Sequence, residues 1–78
     1  MPDDELVLDA ELVKVLASDT RLDLLALLGK RRMTLSEMAR AVKLSKATVL
    51  EHLEKLLATQ LVRRRDDHRL WVYYELTR

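Results

Sequence analysis

Residues 34–60 read TLSEMARAVKLSKATVLEHLEKLLATQ, and this stretch decides the fold that the sequence predicts. Thr34, followed three residues later by Glu37, is a capping box that predicts the start of a short helix. The segment KLS interrupts the helical spacing of apolar residues, and Ser45 can then cap a longer helix over residues 45–58. Two helices joined by so short a turn indicate a helix-turn-helix unit, whose second helix enters the DNA major groove.

The second helix of this unit has one apolar face and one polar face. Its apolar stripe is Val49, Leu53, Leu56 and Gln60. Base contacts are expected from the first two turns of such a helix, on the side away from the stripe. The candidate DNA-contacting residues of the unit are Thr34, Ser45, Lys46, Ala47, Thr48, Glu51 and Lys55. The alternative is that these residues form an ordinary polar helix face. His52 lies on the flank of the stripe, and we expect it to be a packed or capping histidine and not a base-contacting residue.

Charge is distributed unevenly along the chain, although the net charge is only +1. Residues 1–29 carry seven acidic and two basic side chains, whereas residues 30–78 carry twelve basic and six acidic ones. The basic half is the half that contains the helix-turn-helix unit. Such an asymmetry indicates an anionic partner for that half, and a solvated surface of mixed charge is the alternative.

A first helix is predicted over about residues 6–17, and it carries two apolar stripes instead of one. The stripe of Leu8, Leu12, Val15 and Leu16 is sufficient to dock the helix on its neighbour. The second stripe is predicted to form a homodimer interface and consists of Leu6, Ala10, Val13 and Ala17. The alternative is that this second stripe packs within one chain beneath the aromatic residues Trp71 and Tyr73.

A second helix, capped by Ser18 or Asp19, is predicted to end at Gly29, the only glycine of the chain. A glycine at this point favours a left-handed C-terminal residue. The five leucines of the segment TRLDLLALL lie nearly all round the helix, which predicts the most buried element of the fold.

After residue 60 the apolar period changes to that of strands, and residues 62–76 are predicted to form a β-hairpin, the wing. Asp66, Asp67 and His68 are predicted to form its turn. Four arginines flank this turn and suit phosphate or a narrow minor groove: Arg63, Arg64, Arg65 and Arg69. Alternation sends neighbouring side chains to opposite faces, so not all four can face DNA together. The alternative is a charged edge strand that prevents aggregation.

Several functional classes are disfavoured by what the sequence lacks. There is no cysteine, no glycine-rich phosphate loop and no nucleophile–base pattern, which argues against an enzyme and against a cofactor or metal site. Turn chemistry explains the adjacent Asp66, Asp67 and His68 better than metal binding. The longest apolar run, residues 24–28, is too short for a membrane span, and the N-terminus is acidic. We therefore expect a single cytoplasmic domain over residues 1–78.

An ordered set of short motifs resembles the ArsR-type winged-helix transcription regulators. The motifs are LASDTRL at 16–22, LSEMA at 35–39, LSKATV at 44–49, HL at 52–53, LV at 61–62 and VYYEL at 72–76. The resemblance implies a mainly helical winged helix-turn-helix fold, with four helices and a two-stranded wing. It also implies a usually dimeric, duplex-DNA-binding repressor.

The sequence departs from that family in ways that affect the expected function. Metal-sensing members use cysteines, or Asp and His residues on a final helix, and neither is present before the chain ends at Arg78. Leu50 and Glu51 stand where the family more often has small polar or basic residues. We therefore predict a DNA-binding transcriptional regulator without metal sensing. The alternatives are a winged-helix module for protein–protein contact and a nucleoid protein without sequence specificity.

Overall fold

The computed structural model describes residues 10–67 and 71–77, within which the chain forms four helices and a two-stranded antiparallel hairpin. The elements are α1 Ala10–Leu16, α2 Asp19–Lys30, α3 Leu35–Val42, α4 Lys46–Ala58, β1 Val62–Asp67 and β2 Trp71–Leu76. This order confirms the predicted winged helix-turn-helix fold. In the described residues, every helix is too short or too polar to cross a membrane.

Side-chain caps start three of the helices at the positions that the sequence predicts. Ser18 caps α2 by accepting a first-turn backbone N–H at 3.3 Å. Thr34 Oγ1 accepts the Glu37 N–H at 3.2 Å while Glu37 Oε1 accepts the Thr34 N–H at 2.9 Å, so the capping box is complete. Ser45 Oγ accepts the Thr48 N–H at 3.1 Å. Each such cap typically stabilises a helix by about 1 kcal/mol, so these residues fix where the helix-turn-helix begins.

The core lies between α2, α3, α4 and the inner face of the hairpin. The fully buried stripe of α4 is Val49, Leu53 and Leu56, at the predicted helical spacing. Other fully buried side chains are Leu24, Met38 and Val62. Burial of one such leucine contributes about 1.5–3 kcal/mol, so α4 is held firmly from its inner side.

The end of α2 differs from the sequence prediction. The helix continues through Gly29 to Lys30, and Arg31 caps it in extended backbone, so the predicted left-handed glycine cap is wrong. A Cβ on Gly29 would meet Leu76 Cδ1 at 4.0 Å, an ordinary contact, so neither backbone conformation nor space requires a glycine here. The helix is also less buried than predicted, because only Leu24 and Leu28 of its five leucines are buried and Leu22 is 47% exposed.

Within residues 10–67 and 71–77, two non-glycine residues adopt the left-handed backbone conformation. Lys43 has φ of 59° and forms the turn of the helix-turn-helix unit. Gln60 has φ of 66° and is exposed beyond the end of α4, so its predicted place in the apolar stripe is wrong. These residues turn the chain where the sequence offers no glycine, at some cost in backbone strain.

Strand β1 extends two residues further than predicted, and a residue outside the hairpin forms an isolated bridge with β2. Asp67 pairs with Trp71, so the predicted turn residues Asp66 and Asp67 belong to β1; His68 lies outside the described residues. Met33 forms a bridge with Tyr74, with N···O distances of 3.0 and 2.8 Å. This bridge joins the connector between α2 and α3 to the sheet, which fixes the hairpin relative to the helix-turn-helix.

Candidate nucleic-acid interface

The first two turns of α4 present Lys46, Ala47, Thr48 and Glu51 on one outward face, which we call the reading patch. Lys46, Ala47 and Glu51 are exposed and Thr48 is half-buried. No carboxylate lies in the first turn, and Lys46 makes no ion pair with the described residues. An unpaired ammonium beside the unsatisfied N–H groups of a helix start is favourable for a phosphate oxygen.

Two of the candidate hydroxyls have structural roles before any ligand is considered. Ser45 Oγ accepts the Thr48 N–H and donates to Thr48 Oγ1 at 3.0 Å, so these two residues are tied to each other. Thr34 Oγ1 is committed to the capping box of α3 in the same way. Ser45 and Thr34 therefore act first as helix caps. Thr48 Oγ1 accepts the Ser45 hydroxyl, which leaves the Thr48 O–H as a donor within the reading patch.

Lys55 lies apart from the reading patch, although it was predicted to contact DNA together with the residues of the patch. It is exposed near the far end of α4 and lines an open groove with Glu11, Lys14 and Arg21. It lies nine positions after Lys46, which is about 13.5 Å along the helix axis. The structure therefore places Lys55 beside α1, away from the first turns of α4.

The arginines of β1 are exposed, and each is already paired with a carboxylate. Arg63 Nε lies 2.6 Å from Glu75 Oε2, and Arg65 Nη1 lies 3.4 Å from the same oxygen. Arg64 Nη1 lies 3.2 Å from Asp66 Oδ2. The shared Glu75 places Arg63 and Arg65 on the same face of the hairpin, which confirms the expected alternation.

The outer face of the sheet carries the two aromatic residues that the sequence left unassigned. Trp71 is 56% exposed, and the Arg32 guanidinium lies over the Tyr73 ring at 4.1 Å from its centroid. The roles of Arg32 and Glu75 were missed by sequence reasoning. A signal for Glu75 existed, because strand alternation with the correct register sets it directly opposite Arg63. The remaining arginine of the predicted set, Arg69, lies outside the described residues.

The second apolar stripe of α1 is open to solvent. Val13 is 48% exposed, and Ala10 and Ala17 are exposed, whereas the described members of the other stripe, Leu12, Val15 and Leu16, are half-buried. Leu8 of that stripe lies outside the described residues. Leu6 lies outside the described residues. Val13 and Trp71 are both about half exposed, so the described part of this stripe is not buried beneath the outer face of the hairpin, as the alternative expected.

Metal ligation has no ready site in the described part of the chain. There, no three side chains of His, Asp or Glu come close enough together to hold one ion. Asp66 and Asp67 are exposed strand residues. His52 is half-buried, with Nδ1 at 3.1 Å from Arg21 Nη1, which agrees with the predicted packed histidine.

Comparison with known proteins places this geometry among regulators. Residues 16–65 match the family profile described as a helix-turn-helix domain. The HTH-type transcriptional regulator KmtR of Mycobacterium tuberculosis is 39% identical over 67 residues, covering 86% of this chain and 52% of KmtR. The chain thus spans about half the length of this curated relative.

Solved structures share the same fold. NolR of Sinorhizobium fredii superposes with a TM-score of 0.81 and 33% identity, covering 88% of this chain and 68% of NolR. Mb0332 of Mycobacterium bovis superposes with a TM-score of 0.79 and 28% identity, covering 86% of this chain and 61% of that chain. The latter is described as a homodimeric winged helix-turn-helix DNA-binding domain of a possible ArsR-family transcriptional regulator.

Proposed function

Because this chain belongs to the helix-turn-helix family, and within it to the ArsR-type winged-helix regulators, we propose that it is a cytoplasmic repressor that binds duplex DNA. The observation that carries the proposal is the reading patch. It is a polar, exposed start of a helix whose opposite side is fully buried, so it is presented rigidly to a partner. Rigid presentation matters because base recognition depends on hydrogen-bond geometry.

In this proposal the reading patch enters the major groove. Lys46 donates to a guanine edge or to phosphate, and Ala47 offers a methyl contact to thymine. Glu51 accepts from the amino group of cytosine but repels nearby phosphate. The carboxylate therefore favours sites with a cytosine at its position, and it disfavours binding that depends on phosphate alone.

The hairpin contributes positioning contacts to the DNA backbone. The side chains of Arg63, Arg64 and Arg65 are each about half exposed, and their ion pairs are therefore weak. A phosphate oxygen can replace a carboxylate partner at little cost in free energy. We propose that these three residues and Arg69 fix the register of the protein without reading sequence.

A homodimer through the open stripe of α1 completes the proposal. The homodimeric state of Mb0332 and the exposure of Ala10, Val13 and Ala17 both support it. A two-fold pair of reading patches would meet half-sites about 34–36 Å apart.

The Val13→Glu variant tests this interface. We expect it to stay folded, become monomeric and lose DNA affinity. A strong fall in melting temperature at every protein concentration would instead mean that Val13 belongs to the core. Sedimentation and thermal unfolding measure the two outcomes, and wild-type protein that stays monomeric at high concentration would contradict the dimer.

The test of the function is a duplex titration at two salt concentrations with random and genomic fragments. We expect affinity to fall steeply with salt and to differ among fragments. Binding with a steep salt slope but no selectivity would point to a nucleoid protein. Absence of salt-dependent binding to any duplex would overturn the proposal and favour a module for protein contact.

A further inference from the structure

Arg21 contacts both α1 and α4 from its place in the first turn of α2. Its Nε donates to the Val15 carbonyl oxygen at 2.5 Å, and its Nη2 donates to the Lys14 carbonyl oxygen at 3.4 Å. Its Nη1 lies 3.1 Å from His52 Nδ1. One half-buried guanidinium therefore spans three helices.

The contact with α1 matters because that helix is short and only partly buried. It is seven residues long, and none of its residues is fully buried. The Lys14 carbonyl also accepts the Ala17 N–H at 3.3 Å, so the Val15 carbonyl is the one for which Arg21 matters most. A cation at a helix C-terminus is favourable for both hydrogen bonding and the helix dipole. Arg21 supplies that cation and so anchors the C-terminal end of α1.

The contact with α4 requires one protonation form of the histidine. A guanidinium has five N–H donors and no acceptor, so His52 Nδ1 must be the acceptor and the proton must be on Nε2. His52 directly follows Glu51 and lies one helical turn after Thr48, both members of the reading patch. The hydrogen bond therefore ends on the part of α4 that presents the patch.

We propose that Arg21 is a positioning residue that sets the orientation of α4 relative to α1. The functional part rests on the proposed DNA-binding dimer: if two copies join through α1, the link from Arg21 to His52 carries the geometry of that interface to each reading patch. A loosened link leaves one patch able to bind one half-site. It weakens simultaneous binding of two half-sites, because the two patches no longer keep a fixed separation.

The contact itself can be tested without DNA. We expect the ¹⁵N shifts of His52 to report the Nε2–H tautomer, because Nδ1 accepts from Arg21, and a predominant Nδ1–H tautomer would contradict this hydrogen bond. His52→Leu should speed amide hydrogen exchange in residues 14–17 by about five- to tenfold, because a hydrogen bond to a charged donor is removed. His52→Asn should restore protection, since Asn Oδ1 can occupy the position of Nδ1 and the two residues have similar helix propensity. Equal exchange in the wild type, His52→Leu and His52→Asn would overturn the proposal whatever the protein binds.

The consequence for DNA is tested with a duplex selected by the wild type from a random library, and with a copy in which one half-site is scrambled. We expect Arg21→Gln to weaken binding to the two-half-site duplex about tenfold more than binding to the single-half-site duplex. The matched control is Arg31→Gln, which removes the same charge and an ion pair with Glu37 on α3. It should weaken both duplexes equally.

The outcomes separate this inference from the function on which it rests. Equal losses on both duplexes for Arg21→Gln would show that Arg21 contributes only charge or stability, and the proposal would be wrong. Wild-type protein that selects no duplex would overturn the proposed function, and the hydrogen-exchange comparison would then still decide whether Arg21 links α1 to α4.

Discussion

The start of α4 and the hairpin both present cations to solvent, but they do so in different electrostatic settings. Lys46 makes no ion pair with the described residues, and no carboxylate shares its helical turn. Each arginine of β1, in contrast, lies within 3.4 Å of a carboxylate oxygen. By the number of its arginines alone, the hairpin would be the dominant anion-binding element. Because these arginines are paired with carboxylates, much of their charge is balanced locally and becomes available only when phosphate displaces a carboxylate.

The largest expected effect concerns the buried side of α4, because its packing holds the reading patch rigidly in place. Leu53 is fully buried, and Leu53→Ala should lower the free energy of unfolding by about 2–5 kcal/mol. Leu50, on the same helix, is 36% exposed, so Leu50→Ala should change stability by no more than about 0.5 kcal/mol. Urea unfolding measures both. Similar losses for the two variants would contradict the packing of α4.

The next effect distinguishes the hairpin, which is proposed to contact phosphate, from the reading patch, which is proposed to contact bases. Arg64→Ala with Arg65→Ala should weaken binding to every duplex alike and reduce the salt slope by about 0.9 for each phosphate that the protein no longer neutralises. Lys46→Ala or Thr48→Ala should instead change which sequences bind best, by about 1–3 kcal/mol at the affected base pair. Titration across a panel of duplexes measures slope and preference together. A hairpin variant that alters preference, or a reading-patch variant that leaves it unchanged, would reverse the assignment.

A smaller effect tests whether carboxylate pairing restrains the hairpin. Glu75→Gln removes the shared partner of Arg63 and Arg65 while keeping a side chain of similar size. Both guanidiniums should then be freer to contact phosphate, so duplex affinity should rise a few-fold and the salt slope should steepen. Unchanged affinity and slope would mean that the outer face of the hairpin does not meet DNA.

The smallest effect concerns a paired carboxylate in the helix-turn-helix unit itself. The pKa of Glu37 is held below its ordinary value of 4.5, mainly by the hydrogen bond from the Thr34 backbone N–H and next by that from the Arg31 guanidinium. A lowered folded-state pKa means that this stabilisation is present above pH 4.5 and is lost as pH falls through the lower value. Glu37→Gln keeps the capping box, so its stability should fall less between pH 6 and pH 3 than that of the wild type. Denaturant titrations measure the free energy of unfolding at each pH. Parallel pH profiles of the two proteins would show that Glu37 contributes nothing to the pH dependence of stability.

Sequence reasoning succeeded where the signal was local and failed where it depended on distant contacts. Caps at Thr34 and Ser45 act over three residues, so they predict helix starts directly. The end of α2 did not follow the glycine rule, because the Met33–Tyr74 bridge sets the path of the connector and that pairing joins residues far apart in sequence. Alternation predicted that the wing arginines would divide between two faces. It did not predict which carboxylates would pair with them, since that depends on strand register.

The most direct test of the site is a chemical-shift map of the ¹⁵N-labelled protein titrated with duplex DNA. The proposal predicts that the largest backbone amide shifts fall at residues 45–51 and in β1, with little change on α1 beyond that caused by dimerisation. Shifts concentrated on α1 or around Trp71, with residues 45–51 unmoved, would contradict the assignment of the reading patch as the DNA-contacting surface.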